Sequence, residues 1–429
     1  MKILKTDEQN FQKEFNEILS RGAMDIDKVE PIVKQIIDEV KMEGDVALIR
    51  HISKFDKWSP NNGKELKISD EEMERAYQNI DSSLKEALNL AYNRIKTYHE
   101  KQLPKSWLDF ENNGTILGQK VTAVEKAGVY VPGGKAFYPS SLLMNVIPAI
   151  VAGVKEIIVT TPVIENKPNQ LLLAACYLCG VKKVYKVGGA SAIGAMAYGT
   201  ETIEKVDVIT GPGNIFVATA KKMVYGEVNI DMIAGPSEIG ILADETAKPN
   251  YMAIDLLSQA EHDEMASSIM ITTSQKLADD TKKEIYKFLE ELERKEIAEK
   301  SIKERGAIIV ANSIDEAIDL MNRIAPEHLE VVTSNPFELL PKIKNAGAIF
   351  LGENTPEPIG DYIAGPNHTL PTGGSAKFYS PLNVEVFMKK SSIISFSKEA
   401  ILEMGNQCAL LAETELLTAH QKSVLERLK

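Results

Sequence analysis

The residues best suited to chemistry lie in the second half of the chain. Of six histidines, His262, His328, His368 and His420 stand there beside acids, amides or Gly-Pro turns. Gln259 and His262 are three positions apart in the helix-like stretch LLSQAEH, so they share a face and offer an oxygen and a nitrogen to a metal ion. A polar helix surface explains most such pairs taken alone. Pro326-Glu327-His328 follows a helix-like run and opens an extended one, which sets a carboxylate beside an imidazole at a bend. Such neighbours suit proton transfer near neutral pH, and a plain helix-ending turn also produces them. Asp361, in PIGDYIAGPNH, is either a further ligand or a turn former. His420, in ETELLTAH, reads by itself as a surface residue on a tail helix whose other face carries Leu410, Leu417 and Val424. Taken together, Gln259, His262, Asp361 and His420 form a nitrogen and oxygen field suited to zinc, which manganese or cobalt would also accept. Glu327 and His328 are then left for proton work.

Three glycine turns form a second group. KVGGASAIGAMAYG and ITGPGNIFVATAKKM each run from a β-branched strand through small residues into a helix, whose first N–H groups can receive a phosphate. Neither is a complete dinucleotide fingerprint, since Phe216 stands where the third glycine of the second turn would be, and a tight turn without ligand has the same pattern. The third, VYVPGGKAFYPSS, carries Tyr130, Lys135, Tyr138 and the Ser140-Ser141 pair directly after a strand. Turns at the carboxyl ends of parallel strands are where open α/β sheets bind ligands, though a solvated Pro-Gly turn looks alike.

These residues need elements to hold them. From Asp25 to about Leu103 the apolar positions, among them Ile32, Ile36, Ile37, Val40 and Leu48, fall near a helical period. From Val121 short β-branched runs (VTAVEKAGVYV, EIIVTTPV, KKVYKV, DVIT) alternate with apolar helix-like stretches, and a second alternation runs from EIGILAD through GAIFL. It includes one charged helix near Thr281 to Lys303. Strand-like VEVFM and SIISF come later, and a helical tail begins at about Ser397. The pattern predicts two α/β layers in series with parallel sheets. Nine Gly or Pro residues between Gly352 and Gly374 mark a long structured loop, and loops of more than about 12 to 15 residues in compact domains are usually functional.

Composition bounds the rest. With 429 residues the chain is long enough for two or three domains, and 61 acidic against 49 basic residues give a net charge of −12, which disfavours nucleic acid as a partner. The opening MKILKTDEQNFQKEF lacks the apolar core of a secretory signal, and Leu142 to Val154, interrupted by Asn145 and Pro148, is shorter than the roughly 20 residues of a membrane span. A cytoplasmic protein without membrane contact is expected. The three cysteines allow no disulfide framework and no four-cysteine zinc site; Cys176 and Cys179 lie in LLLAACYLCGV, which reads as a buried helix ending at Gly180.

The motifs VYVPGG, TGPGN, AGPSE, LLSQAEH, APEHLE, GDYIAGPNHTLPTGG and LTAH, in this order between Val121 and His420, make the chain resemble the histidinol dehydrogenases, zinc- and NAD-dependent enzymes. The resemblance implies oxidation of L-histidinol to L-histidine through the aldehyde, with two NAD and one water. It implies one zinc per subunit, held by Gln259, His262, Asp361 and His420. Glu327 and His328 match the acid-base pair, His328 taking the hydroxyl proton and Glu327, expected to be ionised at pH 7, activating water. Ser237 and Glu415 match substrate contacts, alongside His328 and the metal ligands, while Tyr130 and Asn214 match NAD contacts. Ser191 stands where the family often has Gln, so its shorter hydroxyl bears on NAD affinity.

The implied fold is two incomplete Rossmann-like parallel-sheet domains with small helical N-terminal and C-terminal extensions. Residues 1–24 would be the N-terminal extension, 25–128 plus 237–382 the metal and substrate domain, 129–236 the NAD domain and 383–429 a dimerisation tail. The tail would lend Glu415 and His420 to the partner's site in a homodimer. The rival readings are a same-fold zinc- and NAD-dependent dehydrogenase of another small alcohol, and a two-domain solute-binding protein without catalysis.

Overall fold

The computed structural model describes residues 1–20, 26–133 and 139–429, so Asp25, Lys135 and Tyr138 lie outside the described residues. The chain divides into two compact units, one of residues 1–102 and 125–387, the other of residues 103–124 and 388–429.

The first unit contains two six-stranded sheets. Across the first run Lys2–Lys5, Ala307–Val310, Ser267–Thr272, Glu238–Ala243, His328–Val332 and Ala348–Leu351, all parallel. Across the second run Lys67–Ile68, Lys183–Tyr185, Glu156–Thr160, Lys126–Tyr130, Val208–Thr210 and Asn229–Ile230, parallel except for the first, an antiparallel edge. Apart from its extra edge strand, each sheet starts with a central strand, adds two on one side and then two on the other. That is the order of a doubly wound α/β half with one switch point, as the alternation in the sequence predicts. Strands such as Ser267–Thr272 are buried along their whole length, because parallel sheets are covered on both faces.

Several segments are placed differently from their local signal. The run VTAVEKAGVYV is two strands in two sheets, Ile116–Ala123 and Lys126–Tyr130. The charged stretch predicted as one helix near Thr281 to Lys303 is two, Gln275–Leu289 and Lys295–Arg305. Val384–Phe387, strand-like in sequence, is a 3-10 turn that buries Val384 and Phe387 on one side. The first residues are not a helical extension alone: Lys2–Lys5 adds a strand to the first sheet, and helix Phe11–Ser20 buries Phe11, Phe15 and Ile18. The helices between residues 26 and 100 bury Val33, Ile37, Val40, Leu48 and Ile95 in cores shared with the 126–230 sheet.

In the second unit Met388–Ser395, Ile116–Ala123 and Trp107–Phe110 form a three-stranded antiparallel sheet, followed by helices Lys398–Thr414 and Thr418–Leu428. Its buried residues are Thr115, Ala400, Gly405 and Ala409, none of them large. Leu410, Leu411, Leu416 and Leu417 are exposed. Among the described residues no helix is long and apolar enough to cross a membrane.

Candidate active site

The amino ends of the neighbouring strands Glu238–Ala243 and His328–Val332 in the first sheet bring the predicted proton carriers together. Helix Ile314–Ile324 is started by Ser313, whose side chain accepts from the Glu316 N–H, and is stopped by Ala325 in the left-handed region at φ 51°. A buried non-glycine residue there is strained, which surrounding structure must hold in place. The bend delivers Glu327 and starts strand His328–Val332. Parallel pairing sets His328 opposite Ile239, so Ser237 and Glu238 arrive at the same edge. The Glu238 N–H donates to Glu327 Oε2 at 2.9 Å, and His328 Nδ1 lies 3.1 Å from the Glu238 carbonyl oxygen.

Asp361 and Gln259 complete the surroundings of His328. The Gly-Pro-rich loop makes a π-helical turn at Gly360–Ala364, where Asp361 Oδ1 stands 3.4 Å from His328 Nε2. Gln259 is in the last turn of helix Pro249–Ala260; His262 follows just past its end, the His262 N–H donating to the Gln259 carbonyl. The pair are therefore a residue in the last turn and one just beyond the Glu261 cap, not two positions on a continuing helix face. With its nitrogen turned toward the carboxyl group beside it, the Gln259 amide stands 3.0 and 3.1 Å from the two oxygens of Glu357, and that nitrogen lies 3.2 Å from His328 Nδ1. Ser237, half-buried, ends the turn that enters the strand.

Electrostatics make this a cation site. Burial pushes Glu327 up to about 8, Glu238 to about 7 and Glu357 to about 7. Glu327 thus holds its proton near neutrality in this state rather than being ionised as expected from its type, because it is buried. Burial would lower His328, but Glu357, Glu327 and Asp361 outweigh it and hold the imidazole well above its usual value. Burial would raise Asp361, yet the hydrogen bond and charge of His328, with His368 and His262, hold it below the ordinary carboxylate range. Burial keeps His262 low and therefore neutral, the form a metal requires. Glu327, Glu357 and Asp361 lie against the imidazole, the Glu238 carboxyl is near enough to feel its charge, and Glu238 Oε2 is buried without a hydrogen-bond partner, a donor set short of positive charge. His328, Glu357 and Asp361 alone place one donor atom each within 4.8 Å of one another. These three thus fit a divalent cation, with the Gln259 amide against two of them and His262 near enough to feel the charge of Asp361.

Glu415 and His420 belong to the second unit, both exposed: Glu415 ends helix Lys398–Thr414, and His420 lies in the first turn of the last helix. Glu238 and Glu357 were missed as site residues. Glu238 had a signal, being next to Ser237 in AGPSE, and Glu357 had none.

The glycine turns gather at the carboxyl ends of the second sheet. Tyr130 ends its central strand and accepts from the Gly189 N–H at 3.3 Å. A Cβ on Gly211 would come within 2.0 Å of the Tyr130 carbonyl oxygen, so at φ 119° only glycine serves there. The turn is clamped from beneath: Lys221 donates to the Gly211 carbonyl at 3.0 Å, Asp231 accepts from the Gly211 N–H at 2.8 Å, and the two side chains form a buried ion pair. Asn214 caps helix Ile215–Val224, accepting from the Phe216 and Val217 N–H groups. Ser191 is buried with its Oγ 2.8 Å from His51 Nδ1, and His51 Nε2 lies 2.8 Å from Glu39. Burial raises both Cys176 and Cys179, as expected of packed rather than reactive thiols.

The sequence model of the histidinol dehydrogenase family matches residues 19–428. A histidinol dehydrogenase from Sulfurimonas denitrificans is 70% identical over 98% of this chain and 97% of its own length, and one from Wolinella succinogenes is 66% identical over 100% and 99%. The crystal structure of histidinol dehydrogenase from Elizabethkingia anophelis, 36% identical, superposes with a TM-score of 0.94 over 100% of this chain and 98% of that one. The chain belongs to the histidinol dehydrogenase family, whose members depend on zinc and NAD.

Proposed function

We propose that Glu327 and His328 carry the proton transfers of the family reaction, beside a metal held by Gln259, His262, Asp361 and His420 of the partner subunit. That reaction is the four-electron oxidation of L-histidinol to L-histidine through L-histidinaldehyde, the last step of histidine biosynthesis. The observation that carries the assignment is the buried His328 set among Glu327, Glu357 and Asp361 next to a neutral His262. When bound, zinc supplies a fixed positive charge that anchors the substrate's nitrogen ligands, and NAD accepts the electrons.

The chain's own groups do the rest. With Nδ1 facing the Glu238 carbonyl, His328 keeps a proton there and exchanges protons through Nε2, on the side of Asp361. His328 and Glu327 both lose protons as positive charge enters the site. His328 Nε2 then takes the proton of the substrate hydroxyl, and the Glu327 carboxylate, held by the Glu238 N–H, takes one from the water that adds to the aldehyde. Ser237 and Glu415 of the partner subunit bind substrate. Tyr130, Asn214 and the helix start that carries Ser191 receive NAD.

A homodimer with shared sites and a cytoplasmic location complete the reading. The second unit buries no large side chain of its own and exposes six leucines on its tail, which supports a partner covering it. The test is single-turnover kinetics of His328→Asn and Glu327→Gln. The first should slow aldehyde formation by roughly two or more orders of magnitude with metal content unchanged, and the second should slow oxidation of supplied aldehyde more than that of the alcohol. Wild-type rates in both variants would remove the pair from the mechanism.

A further inference from the structure

We propose that Glu357 is a positioning residue for metal binding, orienting the Gln259 carboxamide so that its carbonyl oxygen rather than its nitrogen is presented to the cation. The proposal rests on the reading of Gln259 as a ligand. Gln259 is 1% exposed, and a buried amide must direct its N–H groups at acceptors and its oxygen at donors or a cation. Turned with Nε2 toward Glu357, it donates to both carboxylate oxygens at 3.0 and 3.1 Å. The opposite rotation would set its carbonyl oxygen against those two oxygens, acceptor facing acceptor once Glu357 is ionised, as it is when positive charge enters the site. An amide nitrogen has no free lone pair, so only the first rotation offers a metal a donor atom.

Glu357 is itself fixed well enough to make this choice. It is 2% exposed, it stands between Pro356 and Pro358, whose rings restrict the backbone, and its N–H donates to Glu330 Oε1 at 2.8 Å. Outer partners of this kind commonly fix a ligand's orientation, and losing one costs about 10- to 100-fold in metal affinity. Glu357 is also near enough to His328 and Asp361 to be a ligand in its own right, so the test has to separate direct from indirect action.

The experiment is a cycle of zinc affinities, measured by chelator competition on the full-length protein with the fold of each variant checked by circular dichroism. Glu357→Leu should weaken zinc binding about 10- to 100-fold. In a Gln259→Ala background the same change should have no further effect, because the group it orients is gone. Glu357→Gln keeps one acceptor, so its affinity should fall by only about three- to tenfold, again only when Gln259 is present; it carries the comparison if the leucine variant does not fold. Undiminished affinity in the Glu357 variants overturns the proposal, and so does an equal loss with and without Gln259, which would make Glu357 a ligand. Full affinity in Gln259→Ala alone would instead sink the ligand reading on which the proposal stands.

Discussion

His328 owes its character to neighbours that are distant in sequence. Glu327 adjoins it, but Glu238, Glu357 and Asp361 come from other segments, and together they turn an ordinary imidazole into one held charged until positive charge arrives. The pairs Gln259-His262 and Glu327-His328 were legible because their members are close in sequence and beside turn signals. The contact of Glu357 with Gln259 spans almost a hundred residues and left no trace in spacing, nor did that of Ser191 with His51. Asp56 gives a residue-scale prediction away from the metal ligands. Burial alone pushes it up to about 6, above an unfolded value near 3.9. A carboxyl group raised on folding stabilises most below its unfolded value, and that contribution is lost as pH rises through its folded value. Asp56→Asn should therefore match the wild type in thermal midpoint below about pH 4 and exceed it by about 2 °C or more above about pH 6. Parallel midpoints at every pH in calorimetry would contradict this.

The two sheets use opposite ends. NAD candidates lie at strand carboxyl ends of the second sheet, as the switch-point rule expects, whereas Glu327, His328 and Ser237 lie at strand amino ends of the first. Strand and helix alternation in the sequence was enough for the sheets, since fully apolar runs between glycine turns have few other uses. It did not show where VTAVEKAGVYV changes sheet, because no change of period marks the break, nor that the charged helix stops at Leu289, because charge surrounds the stop on both sides. The Lys221–Asp231 pair tests the element that presents the GPGN turn. Removing one partner of a buried pair costs about 3 to 5 kcal/mol, so Lys221→Met should lower stability by that order in denaturant unfolding. It should also raise KM for NAD several-fold while leaving KM for histidinol near wild type. An equal rise in both would mean the clamp serves the fold alone.

The whole molecule repeats one architectural idea, five strands in doubly wound order, and adds a unit that has no large buried side chain of its own. The repeat was readable along the chain. The role proposed for the tail was not, because His420 reads as surface from its residues alone and is exposed in the structure. A shared site makes a quantitative prediction: mixing His420→Ala with Glu327→Ala under subunit exchange leaves one intact site in half of the dimers, and so should restore about a quarter of wild-type activity. No recovery with exchange demonstrated by mass spectrometry would place each site within one chain.

Whether one site carries out both oxidations is decided by the stoichiometry of a limited reaction, with L-histidinol consumed to completion in excess NAD. Two NADH per L-histidinol and L-histidine as the product are expected, with both oxidations lost when a chelator strips the metal. One NADH with histidinaldehyde accumulating, or full activity without the metal, would contradict it.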